Sequence, residues 1–566
     1  PGAAAHRDAN SAHTAAQHVL GTFAATAALG HLLCVRLRAV AARGADSAVR
    51  GRVTRRGLGG AFARSSASGA WAAKDAVRRA AAAPGAATGV RTELVTEDVR
   101  APPGDQRSYR ILDLANGLRV LLASDPTADS AAAAMTVHCG TFQDPGERPG
   151  LAHFHEHMLF LGTGKYPKED EYSRYLGEHG GDSNAFTMAE YTTYYFKVAS
   201  PHLEGALDRF AQFFLDPSFD PSCVEREMNA VDSESSNYST EDGWRLLQVL
   251  KTTAHERHPF HRFDVGNLET LGAEDPQGTR AQLVEWNREH YQAGAMRLAI
   301  VGRESLAELE AVIAGLFGYV RGGAGAAQDY TSQPWPEECL GCVVSCLPLK
   351  EARSISVCWP LPPQSSHKFA KPELCISHVL GHEGQGSLHE VLNQRGWVDQ
   401  LSAGPSHSFS DGQLFALNIG LTPEGDANRE AVLELVFEYL GLVQRAGPQE
   451  DTFRELASLQ EIAFAHKEDS PMPDDFAASA AASLHRYPPE EALRGPFAVD
   501  EWRPEVVADY LSRLQPERCV VLLTSTAFAG EAAADDAEDR GWRSESWYGA
   551  RFRREPAGEA RLARWR

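Results

Sequence analysis

A short stretch of glycine and alanine, residues 322–327, divides this chain into two parts with the same order of predicted elements. On each side, strand-like and helix-like segments follow in the order strand, helix, strand and long helices, over roughly 220 residues. A single hydrophobic core rarely grows beyond about 250–300 residues. The sequence of 566 residues therefore predicts two α/β domains.

The first 92 residues differ in composition from the rest. They are rich in Ala, Arg, Gly and Ser, and carry 13 Lys and Arg against three acidic residues. This composition is typical of an organellar transit segment, and the alternative is a low-complexity tail. Residues 19–35 are apolar but shorter than the roughly 20 residues of a membrane span, so no stable span is expected. We expect a mitochondrial or plastid location if the segment is a transit peptide, and a cytosolic one otherwise.

The net charge of −21 argues against general nucleic-acid binding, which requires a basic surface. The nine cysteines are odd in number and scattered, a pattern that favours a reducing compartment over a disulfide framework. No glycine-rich nucleotide fingerprint occurs between a predicted strand and a predicted helix. These features argue against a nucleic acid or a nucleotide as a partner.

One predicted helix carries the motif HFHEH, which fits the pattern HxxEH. His153 and His157 are four residues apart, so both imidazoles lie on one helix face, and Glu156 shares that face. Two imidazoles suit a zinc ion, and a neighbouring carboxylate can take a proton from a water molecule. His155 points to the opposite side, where we expect it to pack in the core or support the site.

A catalytic zinc site needs a third protein ligand, and a later predicted helix offers two. Glu227 and Glu234 are seven residues apart, which is two helical turns, so they share a face. One can bind the metal while the other supports a ligand. Periodicity alone does not choose between them.

Two long runs resemble the insulysin-like branch of the pitrilysin-type M16 zinc metallopeptidase family. The runs are GLAHFHEHMLFLGTGKYPKEDEYSRYLGEHGGDSNAFT and HLEGALDRFAQFFLDPSFDPSCVEREMNAVDSE. The later HPFHRFDVGN and the closing SWYGARF extend the likeness, which runs from about residue 93 to residue 552. The resemblance covers the amino-terminal half of such an enzyme.

The resemblance implies a role for each matched position of the motif. His153, His157 and Glu234 would bind one Zn²⁺ per chain. Glu227 would not bind the metal itself and would support one of these ligands. Glu156 would be the general base of a zinc-activated water. The expected function is zinc-dependent hydrolysis of short or unfolded peptides.

The resemblance also implies a substrate strand. Asn184 and Ala185 would bind the peptide backbone by adding it to the sheet as an extra strand. Phe186 would line the pocket beside the cleaved bond, although core packing is an equally good interpretation of this phenylalanine.

In the second domain, GHEGQGSL and LSAG resemble the exosite that holds the amino end of a peptide. The matched positions are Gly381, Glu383, Leu401 and Ala403. Pro405 and the residue after it depart from the family pattern.

The fold that the resemblance implies is α+β, with two homologous pitrilysin-type (M16, LuxS/MPP-like) domains, each a mostly antiparallel sheet packed with helices. We expect the catalytic domain at 93–321, an inactive exosite-bearing domain at 330–550, and the start of an interhalf linker or tail at 551–566.

The family's carboxy-terminal half supplies further groups that stabilise the tetrahedral intermediate, and no region here matches them. We therefore expect weak activity from this chain alone. Three explanations stay open: a truncated gene model, a separate carboxy-terminal-half chain that pairs with it, or association of two copies. Two alternative functions stay open: an organellar processing or presequence-degrading peptidase, and a non-catalytic peptide-binding scaffold subunit.

Overall fold

Two seven-stranded sheets organise the part of the chain that the computed structural model describes, which comprises residues 90–326, 330, 333–467 and 472–566. Most of the segment predicted at residues 1–92 lies outside these residues. The first sheet contains β1 (Thr92–Thr96), β2 (Ser108–Leu114), β3 (Arg119–Ser124), β4 (Ser130–Val137), β5 (Asp182–Thr187), β6 (Thr192–Ala199) and β7 (Met296–Gly302). Their order is β1-β2-β3-β7-β4-β6-β5, and only β3 and β7 are parallel neighbours.

The second sheet contains β8 (Cys342–Leu347), β9 (Arg353–Leu361), β10 (Val398–Ser408), β11 (Gln413–Leu421), β12 (Val520–Ser525), β13 (Trp542–Ser544) and β14 (Arg551–Pro556). Their order is β10-β11-β9-β12-β8-β14-β13, with β8 and β12 parallel. The series β3-β7-β4-β6-β5 thus corresponds to β8-β12-β9-β11-β10. The predicted class of two homologous, mostly antiparallel sheets packed with helices is confirmed, and β5 and β10 are equivalent edge strands.

The helices of the first half are α1 (Leu151–Leu159), α2 (Glu171–Glu178), α3 (Leu203–Leu215), α4 (Pro221–Tyr238), α5 (Asp242–Lys251), α6 (Pro276–His290) and α7 (Leu306–Phe317). Those of the second half are α8 (Pro372–Leu380), α9 (Leu388–Gln394), α10 (Pro423–Ala427), α11 (Arg429–Ala446), α12 (Glu450–Ala465), α13 (Pro473–Arg486), α14 (Pro504–Ser512), α15 (Ala529–Ala532) and α16 (Glu559–Trp565). No helix among the described residues is both long and apolar enough to cross a membrane.

The end of the chain extends the second sheet beyond the predicted boundary at residue 550. Strand β14 pairs with β8 over six residues, and α16 follows it. The segment RFRREP carries four charges and therefore has the composition of a solvated tail. Backbone pairing with β8, which composition does not reveal, makes it a strand.

Helix α13 lies on the first sheet, although its sequence belongs to the second half of the chain. It packs against β4, β7 and β6 on the face opposite to α1, and contributes Phe476, Ala477, Ala480, Ala481 and Leu484 to the core there. Alanines also line the sheet side of this contact, at positions 123, 132, 134 and 299. Small side chains on both surfaces let the helix backbone approach the sheet closely, so the second half of the chain completes the core of the first.

This close packing predicts that Ala481→Leu is destabilising. Ala481 is fully buried between α13 and the sheet, and added methylene groups in a filled core typically cost about 1–3 kcal/mol. The matched control is Ser479→Leu, which adds a leucine to an exposed position of the same helix. Denaturant unfolding should show a lower midpoint for Ala481→Leu alone, and equal midpoints for the two variants would contradict the packing argument.

Candidate metal and peptide site

The helix that carries the HxxEH motif is anchored at its amino end by Asp144. This carboxylate accepts hydrogen bonds from the backbone N–H groups of Gly150, at 2.7 Å, and Ala152, at 2.8 Å. Burial raises the pKa of the Asp144 carboxyl to about 8, although the two N–H donors act in the opposite direction. The first turn of α1 therefore has its donors satisfied inside the protein.

A close contact between two glycine backbones holds the segment around Val265 against α1. Gly150 has φ of 91°, and a Cβ atom there would lie 2.3 Å from the Cα atom of Gly266. Gly266 also has a positive φ, of 86°. Only glycine permits both the conformation and the approach, and the contact brings the carbonyl of Val265 against the imidazole of His153.

The side chains of His153, His157 and Glu234 converge between α1 and α4. Their candidate ligand atoms all lie within 4.8 Å of one another. Glu234 Oε2 is 3.8 Å from His153 Nε2 and 3.4 Å from His157 Nε2. Of the two glutamates that periodicity left open, Glu234 is the one that faces both Nε2 atoms.

Each of these side chains is oriented by a second group. His153 Nδ1 lies 2.7 Å from the carbonyl oxygen of Val265, and His157 Nδ1 lies 2.8 Å from Glu227 Oε1. Because both partners are acceptors, Nδ1 donates the hydrogen in each ring, and Nε2 is the nitrogen that faces Glu234. The hydroxyl of Tyr238 donates to Glu234 Oε1 at 2.5 Å.

This donor set fits a zinc ion. His157 Nε2 is buried and has no well-aligned hydrogen-bond partner among the described residues. Burial disfavours the imidazolium form, but the carboxylates of Glu227 and Glu234 outweigh it and raise the pKa of His157 to about 9. The same histidines lower the pKa of Glu234 against the effect of burial. The site is thus built to hold positive charge, with two imidazole nitrogens and one carboxylate oxygen directed at it.

Glu156 connects this centre to the edge of the first sheet. It is 2% exposed, and its Oε2 accepts a hydrogen bond of 2.8 Å from Thr187 Oγ1, at the end of β5. The general-base candidate therefore lies between the ligand histidines and the strand to which a peptide would add.

The three predicted substrate residues lie on β5, which pairs with β6 on one side and is the last strand of its sheet. Asn184 is half-buried, and Ala185 packs in the core on the side of α1. Phe186 points to the opposite face, where its ring lies 6.3 Å from the rings of Tyr191 and Tyr195. These ring contacts are the ones that core packing of Phe186 would produce. A role for Phe186 in a substrate pocket stays a prediction.

The four predicted exosite residues surround the equivalent edge strand, β10. Leu401 is buried, Ala403 is half-buried, and Glu383 is exposed in the loop between α8 and α9. A Cβ atom at Gly381 would lie 3.8 Å from the backbone nitrogen of Ala403, so this loop starts directly beside the strand. Pro405, which departs from the family pattern, is tolerated here because an edge strand does not need every N–H group.

Several groups that orient the site were not predicted from the sequence. The Val265 carbonyl carries no side-chain signal, and Thr187 becomes relevant only once β5 lies beside α1. Tyr238 was detectable, because it lies four residues after Glu234 on the same helix. His155 is a core residue: it is fully buried against Trp286 and Tyr291, and burial lowers its pKa to about 3.

Comparison with known proteins places these features in a family. Residues 119–262 match the family described as insulinase (peptidase family M16), residues 278–459 match the peptidase M16 inactive domain, and residues 464–566 match the middle or third domain of peptidase M16. Together these matches span most of the chain.

Individual relatives agree with this assignment. The chain is 40% identical to the insulin-degrading enzyme of Homo sapiens over 466 residues, which is 82% of this chain and 45% of that protein. It is 35% identical to the peroxisomal insulin-degrading enzyme-like 1 of Arabidopsis thaliana, over 83% of this chain and 48% of that protein. It is 36% identical to the A-factor-processing enzyme of Saccharomyces cerevisiae, over 81% of this chain and 44% of that protein. The chain thus spans about half the length of these relatives.

Solved structures show the same fold. The crystal structure of pitrilysin superposes with a TM-score of 0.78 at 28% identity, and covers 84% of this chain and 50% of that one. A protease from Helicobacter pylori has a TM-score of 0.59 at 17% identity, over 74% of this chain and 99% of that one, and supports the fold alone. From the three family matches, the relatives and the pitrilysin likeness, we conclude that this chain belongs to the pitrilysin-type M16 family of peptidases.

Proposed function

We propose that this chain is a zinc-dependent endopeptidase that hydrolyses short or unfolded peptides. The observation that carries the proposal is the convergence of His153, His157 and Glu234 beside Glu156 and the edge strand β5. A bound zinc ion would supply Lewis acidity, lowering the pKa of water and polarising the peptide carbonyl. His153, His157 and Glu234 would hold it, one ion per chain.

The protein's own groups would supply binding and proton transfer. Backbone groups of Asn184 and Ala185 on β5 would pair with the peptide as an added strand and place its carbonyl near Glu156. Glu156 would take a proton from the attacking water and pass it to the nitrogen of the leaving amine. Thr187, which donates to Glu156 Oε2, would keep that carboxylate directed at the strand.

The second edge strand supports the same function. We propose that Gly381, Glu383, Leu401 and Ala403 form an exosite on β10 that binds the amino end of longer peptides. The structural correspondence of β10 to β5 supports this, because both edges can accept a peptide by the same backbone pairing. Phe186 would contribute to the substrate pocket. Two alternatives stay open: an organellar processing or presequence-degrading peptidase, and a non-catalytic scaffold. Zinc content together with peptide turnover separates the scaffold from the proposal.

Zinc binding should stabilise the chain through the three-residue centre. At zinc concentrations 100-fold above the dissociation constant, one site contributes about 2.7 kcal/mol to the free energy of unfolding. We expect zinc to raise the melting temperature of the unsubstituted protein but not of His157→Ala. His466→Ala, which removes an exposed histidine far along the chain, is the matched control and should respond like the parent.

The support that Glu227 gives to His157 should appear in metal affinity. Loss of such a partner typically lowers metal affinity about 10–100-fold. We expect this range for Glu227→Gln in a chelator competition assay, with the fold unchanged by circular dichroism. An affinity equal to that of the parent would show that the 2.8 Å contact does not orient the ligand.

Removing the general base should separate binding from chemistry. Glu156→Gln should reduce the turnover of a quenched fluorescent peptide by at least about 10²-fold, since general-base catalysis typically contributes 10²–10⁴-fold. Zinc content should stay at one per chain, because Glu156 is not a ligand. Equal turnover in both proteins would disprove the mechanism. Zinc bound without turnover in either would mean that the site is assembled but needs a carboxy-terminal half, and absence of bound zinc would favour the scaffold function.

A further inference from the structure

The two edge strands lead into turns that contact each other. The turn after β5 comprises residues 188–191, and the turn after β10 comprises residues 409–412. The contact is made by the carboxylate of Glu190, which reaches from the first turn to the second. Because β5 and β10 are equivalent strands of the two sheets, this side chain joins the proposed substrate strand to the proposed exosite strand.

Glu190 accepts hydrogen bonds from three donors. The backbone N–H of Ser410 lies 2.9 Å from Oε2, and the Ser410 hydroxyl donates to Oε1 at 2.6 Å. The hydroxyl of Tyr330, in the segment that connects the two domains, donates to Oε1 at 2.6 Å. Bonds to an ionised carboxylate are roughly twice as strong as bonds between neutral groups, so this single side chain binds both the second turn and Tyr330.

Both turns contact Phe142 or its neighbour Thr141 beneath this carboxylate. The first turn accepts backbone hydrogen bonds at the carbonyls of Met188 and Ala189, from the N–H groups of Thr141 and Phe142, at 3.0 and 2.8 Å. The second turn rests on Phe142 through Phe409, with ring centroids 4.9 Å apart.

A second polar pair lies at the same junction. Asp411 Oδ2 is 3.1 Å from Nε2 of the buried His258. Glu190 therefore connects two supported turns.

The geometry sets a length requirement on any peptide that uses both edges. From Asn184 to Thr187 is three residue steps, and from Ala403 to Ser408 is five. At about 3.3 Å per step, the two strand segments alone span roughly 26 Å, so an extended peptide that reaches from Asn184 to Ala403 needs more than about eight residues. Shorter peptides do not reach both positions and should not depend on how the edges are aligned.

We propose that Glu190 is a positioning residue that holds the two edge strands in one alignment, so that long peptides bind at both edges simultaneously. This inference rests on the proposed function of β5 and β10 as peptide-binding edges. Linking two binding edges raises affinity only when their geometry allows simultaneous contact. Loss of Glu190 should therefore weaken the binding of long peptides and leave that of short ones unchanged.

The test measures peptide binding in the 566-residue chain, loaded with zinc and carrying Glu156→Gln, so that no peptide is consumed. The probes are a fluorescein-labelled, unstructured 20-residue peptide with a free amino end and its central six residues, followed by anisotropy. We expect Glu190→Ala to raise the dissociation constant of the long peptide about tenfold and that of the short peptide less than twofold. Glu190→Gln, which retains an oxygen acceptor, should give an intermediate value.

Two matched comparisons define the outcome. Glu505→Ala removes an exposed glutamate from α14 and should change neither constant. Ser410→Ala should weaken the binding of the long peptide only. Adding it to Glu190→Ala should have little further effect, because both substitutions remove the same contact between Glu190 and Ser410.

Equal weakening of both peptides, or an unchanged long-peptide constant, would overturn the positioning role. So would a parent chain that binds the long peptide no more tightly than the short one. Hydrolysis by the chain with Glu156 intact is measured separately. Absence of turnover would count against the proposed function and leave the binding comparison valid.

Discussion

The packing of α1 against α4 is the contact on which the candidate site depends. Helix α1 presents two imidazoles, and α4 crosses it so that Glu234 faces their Nε2 atoms while Glu227 holds the Nδ1 atom of His157. Two carboxylates and two imidazoles in a partly buried place would be costly if they were unpaired. Here each of these side chains has an oriented hydrogen-bond partner. The three that converge, His153, His157 and Glu234, together suit a bound cation.

The second half of the chain is part of this arrangement, and not only an appended module. Phe263, two residues before the carbonyl that holds His153, stacks on Trp547 with centroids 4.6 Å apart. Arg245 donates to the carbonyl of Tyr548, and Tyr548 is buried in the same aromatic cluster as Tyr238. Together with α13 on the outer face of the first sheet, these contacts explain why two sheets with separate strand orders share one compact unit, residues 89–566.

The correspondence between the two sheets gives the molecule two equivalent edges with different surroundings. Beside β5 lie α1, which carries the candidate metal ligands, and Glu156, whereas beside β10 lie α8 and a glycine-rich loop. An edge strand presents unpaired backbone groups and is a ready template for an added strand. In the proposed function, the same backbone property would serve the chemistry at one edge and the holding of a peptide at the other, provided that the turns between them stay aligned.

The sequence by itself determined the features that depend on local periodicity. Spacing of four residues placed His153 and His157 on one face, spacing of seven placed Glu227 and Glu234 on another, and the repeated order of elements indicated two domains. Family resemblance added the roles of matched residues. The tertiary structure decided what depends on contacts between distant segments. It showed which glutamate faces the imidazoles and that the Val265 carbonyl orients His153. It placed β14 in the second sheet and α13 on the first sheet. It also showed the contact of Glu190 with Ser410. Apart from the choice of Glu234, which the family resemblance implied, these features could not be predicted from the sequence. Backbone carbonyls and helix crossings leave no periodic signal, and their partners are up to several hundred residues apart in the chain.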